Sequence, residues 1–165
     1  MTSAADQTRP EGDEERLPRL SGQRRHLRRA LLGLEEALAR PLPGREGAWA
    51  ESVHARAGEL ADAYALHVSF TEAPGGFFDD VLLAAPALAA DVEALQAEHR
   101  TIAEAVRALL EALAAGPDAE EPTGWARAQR AAATRLIGSL TLHRQLGADL
   151  THEAFPSLVN LPEAP

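Results

Sequence analysis

The stretch Tyr64–Gly76, YALHVSFTEAPGG, decides the fold because it ends a long helical pattern with a histidine on its apolar face. The residues before His67 that share this face recur at intervals of three and four, which is the spacing of the buried side of a helix. They are Val53, Ala57, Leu60, Tyr64, His67 and Thr71. The pair Gly75-Gly76 then interrupts the helix. A histidine in this position is either a hydrogen-bonded core residue or a metal ligand.

The composition indicates one helical domain that does not act on nucleic acid. The chain has 165 residues, enough for a full core, and is rich in residues that favour helices. Its net charge of -9 argues against general nucleic-acid binding. It contains no cysteine, which excludes disulfides and thiolate metal sites. No apolar signal segment or membrane-spanning window is found, so a cytoplasmic protein is expected.

Proline and glycine divide the chain into segments. Residues 1–18 are polar and acidic and are predicted to be disordered, residues 19–155 form the domain, and residues 156–165 form a loosely ordered, proline-rich tail. Periodicity and breakers predict four long helices and a short one within the domain. Their approximate ranges are 20–40, 47–72, 77–84, 86–115 and 124–154. Short connections between long helices predict an all-α, up-down-up-down four-helix bundle.

Two details of these helices carry further predictions. Ser21 is a candidate N-cap of the first helix, and Pro86 suits the first turn of the third long helix. A basic cluster near the start of the first helix is predicted to be a solvated helix face. It consists of Arg24, Arg25, Arg28 and Arg29.

Each long helix carries one histidine on or beside its apolar stripe. These residues are His26, His67, His99 and His143. In an antiparallel bundle all four belong to the same end, and a rise of about 1.5 Å per residue puts them within a turn or two of one height. His26 lies beside its stripe and could instead point to water. His54 and His152 fall on other faces and are predicted to be surface residues.

This layer of histidines has two interpretations. A single buried histidine is usually a hydrogen-bonded core residue. Several gathered in one layer also fit a metal site, because imidazole is the commonest metal-binding side chain. Four carboxylates near the same layer are either ligands or part of a solvated face: Glu72, Glu98, Asp149 and Glu153.

The layout resembles the hemerythrin-like HHE cation-binding domain from about Ser21 to Phe155. The resemblance rests on a histidine followed by a carboxylate at the end of the second helix, on Glu98-His99, and on LHRQLGADLTHEAF in the fourth long helix. Two segments look like an actinobacterial branch of that family: HVSFTEAPGG and LHRQLGADLTHEAF. The resemblance implies a hemerythrin-like four-helix bundle with a non-heme di-iron site. Such sites bind O2, sense oxygen or redox state, handle nitric oxide or peroxide, or store iron.

The resemblance carries over the histidines but neither bridging carboxylate. Where the family places a glutamate four residues after the histidine of the second helix, this sequence has Thr71, and Glu72 comes one residue later. In the last helix the corresponding positions are Gly147 and Ala148. The candidate metal residues are His26, His67, Glu72, Glu98, His99 and His143.

Three arrangements of this site remain open. A single metal ion could bind several histidines with Glu98 as a carboxylate ligand. A distorted helix could bring Glu72, Asp149 or Glu153 inward and restore a dinuclear site. Alternatively, the histidines form a metal-free polar core.

Two hypotheses of function follow. In the first, the chain binds non-heme iron and acts on a diatomic or peroxide ligand, in O2, nitric oxide or peroxide chemistry or in redox sensing. Whether it is an enzyme stays open. In the second, it is a metal-free, degenerate hemerythrin-like bundle that serves as a partner-binding or regulatory module.

Overall fold

The computed structural model describes residues 13–40, 44–117 and 120–156, and these residues contain helices but no strand. The described helices are α1 (Asp13–Leu38), α2 (Glu46–Glu72), α3 (Phe77–Ala84), α4 (Ala89–Ala115) and α5 (Pro122–Ala154). The four long ones, all except α3, are consistent with the predicted helical bundle. The short helix α3 and a 3-10 turn at Pro86–Leu88 join α2 to α4. None of these helices has both the length and the apolar character that crossing a membrane requires.

Most of the predicted helix bounds are confirmed because proline and glycine set them. Pro122 occupies the first turn of α5, where its missing N–H is tolerated. The predicted start of the third long helix at Pro86 is wrong by three residues, because Pro86 begins a 3-10 turn and α4 starts at Ala89. Gly116 ends α4 with a φ of 77°, a left-handed conformation that glycine adopts without steric cost.

The start of α1 differs from the prediction. The helix begins at Asp13, so the predicted start near Leu20 is wrong, and Ser21 lies inside the helix and cannot cap it. Asp13 is followed by two glutamates, and acidic residues are favoured in a first turn by the helix dipole. The polar composition predicted disorder for residues 1–18, but residues 13–18 are helical. The other predictions of disorder, for residues 1–12 and 157–165, fall outside the described residues.

The turn between α2 and α3 requires glycine at two successive positions. Gly75 has a φ of 70° and donates its N–H to the Asp79 carboxylate at 2.6 Å. A Cβ on Gly76 would lie 2.6 Å from the Ala73 carbonyl oxygen, closer than such atoms approach. The turn folds α3 back so that Phe78 and Val81 are buried.

Two apolar clusters form the core, and the histidines separate them along the helices. The larger cluster combines buried residues of α1, α2, α4 and α5, including Leu60, Ile102 and Leu140. The smaller cluster combines α3 with the start of α4 and the end of α5: Phe78, Val81, Val92, Leu95 and Leu150. On α4, His99 lies between Leu95 and Ile102, and on α5, His143 lies between Leu140 and Leu150. We call this level of the molecule the histidine layer; it consists of His67, His99 and His143.

Candidate metal centre

Three helices supply the histidine layer because each places one histidine where its apolar stripe would continue. His99 and His143 are buried, with 2% and 3% of their surface exposed, and His67 is partly buried. The prediction that these three side chains face inward is confirmed.

The Nε2 atoms of the three rings converge. Nε2 of His143 lies 3.0 Å from Nε2 of His99 and 3.3 Å from Nε2 of His67. One ligand nitrogen from each ring lies within 4.8 Å of the others, so the three histidines form a group that could hold a metal ion. For comparison, imidazole nitrogens about 2.0–2.1 Å from a tetrahedral ion stand roughly 3.3 Å apart. The two distances from Nε2 of His143 are close to that value.

Two carboxylates form hydrogen bonds with the Nδ1 atoms of His99 and His143, whereas the Nε2 atoms of these rings take part in the convergence. Glu72 Oε1 lies 2.6 Å from Nδ1 of His99, and Glu98 Oε2 lies 2.9 Å from Nδ1 of His143. A carboxylate accepts hydrogen bonds, so each Nδ1 carries the proton and donates it. In a neutral ring, Nε2 then carries a lone pair that points into the centre. Carboxylates fix the tautomer and orientation of metal-binding histidines in this way.

The rings of His99 and His143 both hold their proton at Nδ1, so their Nε2 lone pairs face each other at 3.0 Å and repel unless an added proton or a metal cation lies between them. Burial opposes an added proton on His67, whose pKa it lowers to about 3, with a smaller contribution from the neighbouring His99 and His143. Burial also lowers the pKa of His99, although its hydrogen bond to Glu72 acts in the opposite direction. Burial therefore favours the neutral form of His67 and His99, which is the form that binds a metal ion.

Aromatic side chains enclose the centre. The ring centroid of Tyr64 lies 6.0 Å from those of His67 and His99 and 6.4 Å from that of His143. Phe78 of α3 stacks on His99 with a centroid distance of 5.7 Å. Burial raises the pKa of Tyr64, and the nearby Glu72 and Glu98 raise it further, so its phenol stays protonated. The hydroxyl donates to the His99 carbonyl oxygen at 3.4 Å.

Thr71 occupies the position where the resembling family keeps a bridging glutamate. Its side chain is buried, and Oγ1 donates within its own helix, with the carbonyl oxygens of His67 and Val68 at 3.0 and 3.1 Å. A hydroxyl engaged in this way supplies no anionic bridge between two metal ions.

The structure brings together only part of the predicted ligand set. His26 is exposed, which is the second of its two predicted alternatives, and it does not belong to the group of possible ligands. Glu72 and Glu98 reach the site, but they contact Nδ1 atoms from outside and are not members of that group.

Asp149 and Glu153 are exposed. His54 and His152 are exposed as well, which confirms that prediction.

A cavity of about 270 Å³ adjoins the histidine layer. Its lining includes His67, Thr71 and His143. Arg24 and Arg144 line it as well, together with apolar residues that include Phe77 and Phe78. The prediction that Arg24 belongs to a solvated face is wrong, because it is partly buried and bonded to α5. The sequence did contain a signal of this burial, because Arg24 lies three residues before Leu27 and so shares a helix face with it.

No family model matches this chain, and no curated protein or solved structure matches it either. The resemblance to hemerythrin-like domains therefore stays a prediction.

Proposed function

We propose that this chain is a hemerythrin-like, up-down-up-down four-helix bundle that binds one non-heme iron ion at His67, His99 and His143. The convergence of three Nε2 atoms, two of them on rings held by carboxylates, carries this proposal. We assign the site to O2, nitric oxide or peroxide chemistry or to redox sensing, which are the functions that the resemblance implies.

Contacts between helix ends support alternating helix directions. Arg24, in the first half of α1, donates to Thr151, near the end of α5, at 2.6 Å. Thr123 and Glu46, at the starts of α5 and α2, are bonded at 3.0 Å. Glu72, at the end of α2, bonds His99 in the first half of α4. These pairings fit a bundle in which α2 and α5 run one way and α1 and α4 run the other.

The donor set fits a single ion. Neutral imidazoles suit iron, zinc, copper and nickel. Two divalent ions in one pocket repel strongly unless an anionic bridge lies between them, and Thr71 offers none. When bound by three protein ligands, such an ion supplies Lewis acidity and an open position for a small ligand.

The protein's own residues prepare this site before any ligand arrives. Glu72 and Glu98 hold protons at Nδ1 and so aim Nε2 of His99 and His143 inward. Phe78 and Tyr64 cover the imidazoles and limit the access of water. The cavity beside His67 and His143 gives a diatomic or peroxide ligand a path to the open position.

Metal analysis of protein purified without a histidine tag tests this function. We expect about one iron per chain after anaerobic loading with ferrous iron, an optical change on exposure to O2, and a higher melting temperature. The variant His99→Ala should lose the metal, whereas His54→Ala, with its exposed side chain, should keep it.

Three outcomes would contradict the proposal. Two ions per chain would indicate a dinuclear site. Equal metal loss in both variants would place the metal elsewhere. If no metal binds above trace and iron, manganese and zinc leave the melting temperature unchanged, the histidines form a polar core. The metal-free module for partner binding or regulation would then be the better hypothesis.

A further inference from the structure

The cavity beside the histidine layer holds two cationic side chains that pair with no carboxylate of the described residues. Arg24 of α1 and Arg144 of α5 both line it. Within the part of the chain that the structure describes, neither guanidinium forms an ion pair. Two like charges that share a cavity repel, so this arrangement favours the entry of an anion.

Hydrogen bonds hold Arg24 in place while leaving part of its guanidinium unused. Its Nη2 atom donates to the Thr151 hydroxyl at 2.6 Å and to the Gly147 carbonyl oxygen at 3.3 Å. Its Nη1 and Nε atoms have no hydrogen-bond partner among the described residues. Burial lowers the pKa of Arg24, and the positive charge of the neighbouring Arg144 lowers it further. A bound anion would relieve this repulsion.

The cavity is small, and apolar side chains form one part of its lining. Leu27, Leu95, Phe77 and Phe78 form its apolar wall. Its volume of about 270 Å³ is just below the range of roughly 300–1,000 Å³ that is typical of pockets for drug-sized ligands. A small molecule that has one anionic group and a short apolar body matches this combination better than a bare inorganic anion does.

We propose that the cavity binds a small organic carboxylate, with its carboxylate group at Arg24 and Arg144 and its apolar body against the phenylalanine side. The planar guanidinium suits a carboxylate because it can donate two parallel hydrogen bonds to it. His67 and His143 line the same cavity, so the ligand would lie beside the metal centre. This placement rests on the proposed function and names a substrate class for that site.

Calorimetric titration with benzoate tests the proposal on the full chain, both metal-free and loaded with redox-inert zinc. Benzamide serves as the uncharged analogue and sulfate as the inorganic anion. We expect benzoate to bind at least about 10-fold more tightly than benzamide, because benzamide loses the charged hydrogen bonds, and at least about 10-fold more tightly than sulfate, because sulfate has no apolar body to bury. Arg144→Gln should weaken benzoate binding by a similar factor and leave zinc binding unchanged. Arg135→Gln, an exposed position on the same helix, should alter neither.

Each contrary result has its own meaning. If zinc binds but benzoate does not, the carboxylate site is refuted and the metal centre stands. If benzoate binds through Arg144 but neither zinc nor iron binds, the carboxylate site is supported and the proposed metal function fails. Sulfate binding as tight as benzoate binding would refute an organic ligand. Equal losses in Arg144→Gln and Arg135→Gln would refute the assigned residues.

Discussion

The larger apolar cluster and the histidine layer lie on the same helices, but different interactions hold them. In the apolar cluster, residues such as Leu60 and Leu140 are fully buried and have no polar atoms to satisfy. In the histidine layer, His99 and His143 are nearly as buried, yet their Nε2 atoms face each other at 3.0 Å. Nδ1 of His67 is also buried and has no hydrogen-bond partner among the described residues.

The apolar cluster and the histidine layer therefore contribute differently to the free energy of unfolding. Burying apolar surface contributes about 25 cal/mol per Å², which accounts for the apolar cluster. Burying polar atoms without full hydrogen bonding costs about 1–3 kcal/mol per group. The histidine layer therefore weakens the metal-free fold, and a bound cation would offset that cost. Four experiments can break or sharpen this comparison.

The largest effect is expected in the apolar cluster. Leu60→Ala should lower the free energy of unfolding by about 2–5 kcal/mol, because Leu60 is fully buried and its truncation leaves a cavity. Leu66→Ala, on the same helix with 51% of its surface exposed, should change it by less than about 0.5 kcal/mol. Urea unfolding measures both. Equal effects would mean that α2 presents a different face to the core.

The second effect is the pH dependence of the metal-free protein. The folded-state pKa of His67, about 3, lies below the ordinary value of 6.5, so the unfolded chain binds a proton more readily. The stability that a neutral His67 supports is therefore present above about pH 6.5 and is lost as the pH falls toward 3. At pH 4.5 the loss is on the order of 3 kcal/mol, from about 1.4 kcal/mol per pH unit.

Unfolding titrations at pH 7 and pH 4.5 on wild type and His67→Leu measure this loss. The variant should lose less stability than wild type between the two pH values, because it cannot take up this proton on unfolding. A pH dependence that is the same in both proteins would show that other groups cause the acid sensitivity.

The third effect concerns the carboxylates that hold the imidazoles. Glu72→Ala and Glu98→Ala should each weaken metal binding by about 10- to 100-fold, the usual effect of removing a partner that orients a histidine ligand. Glu104→Ala, at an exposed position of α4, is the matched control and should bind like wild type. Zinc titration against a competing chelator measures these affinities. Complete loss of the metal, as expected for His99→Ala, would instead make the carboxylates ligands, as the sequence predicted.

The sequence was informative wherever spacing alone determines position. His67, His99 and His143 lie three or four residues from other members of an apolar stripe, which predicted that they face inward. Proline and glycine marked the helix ends. Contacts between helices could not be predicted in this way. Glu98 is adjacent to His99 in the sequence, yet it bonds His143 on α5. The side of a ring that a carboxylate reaches depends on how the helices pack, and a single sequence does not contain that information.

His26 illustrates the same limit at the edge of a helix face. It lies beside the apolar stripe of α1, where a small rotation of the helix decides between the core and water, and its side chain is exposed. Arg24, two residues earlier, turns toward α5 instead. For both residues, the packing of α1 against its neighbours determines whether the side chain faces the interior or water, which the periodicity of the sequence did not determine.

The smallest effect tests the comparison most directly. In metal-free protein, His143→Leu removes the nitrogen that faces His99 and His67 and adds an apolar side chain of similar size. Glu98 loses its partner, but with 35% of its side chain exposed it can be hydrated. We expect the free energy of unfolding to rise by about 1 kcal/mol, because replacing imperfectly paired buried polar groups with apolar ones is often stabilising. Saturating zinc should reverse the order by stabilising only the wild type. If the variant is less stable without metal, the three histidines hold the fold together as a hydrogen-bonded network, and the histidine layer belongs with the core.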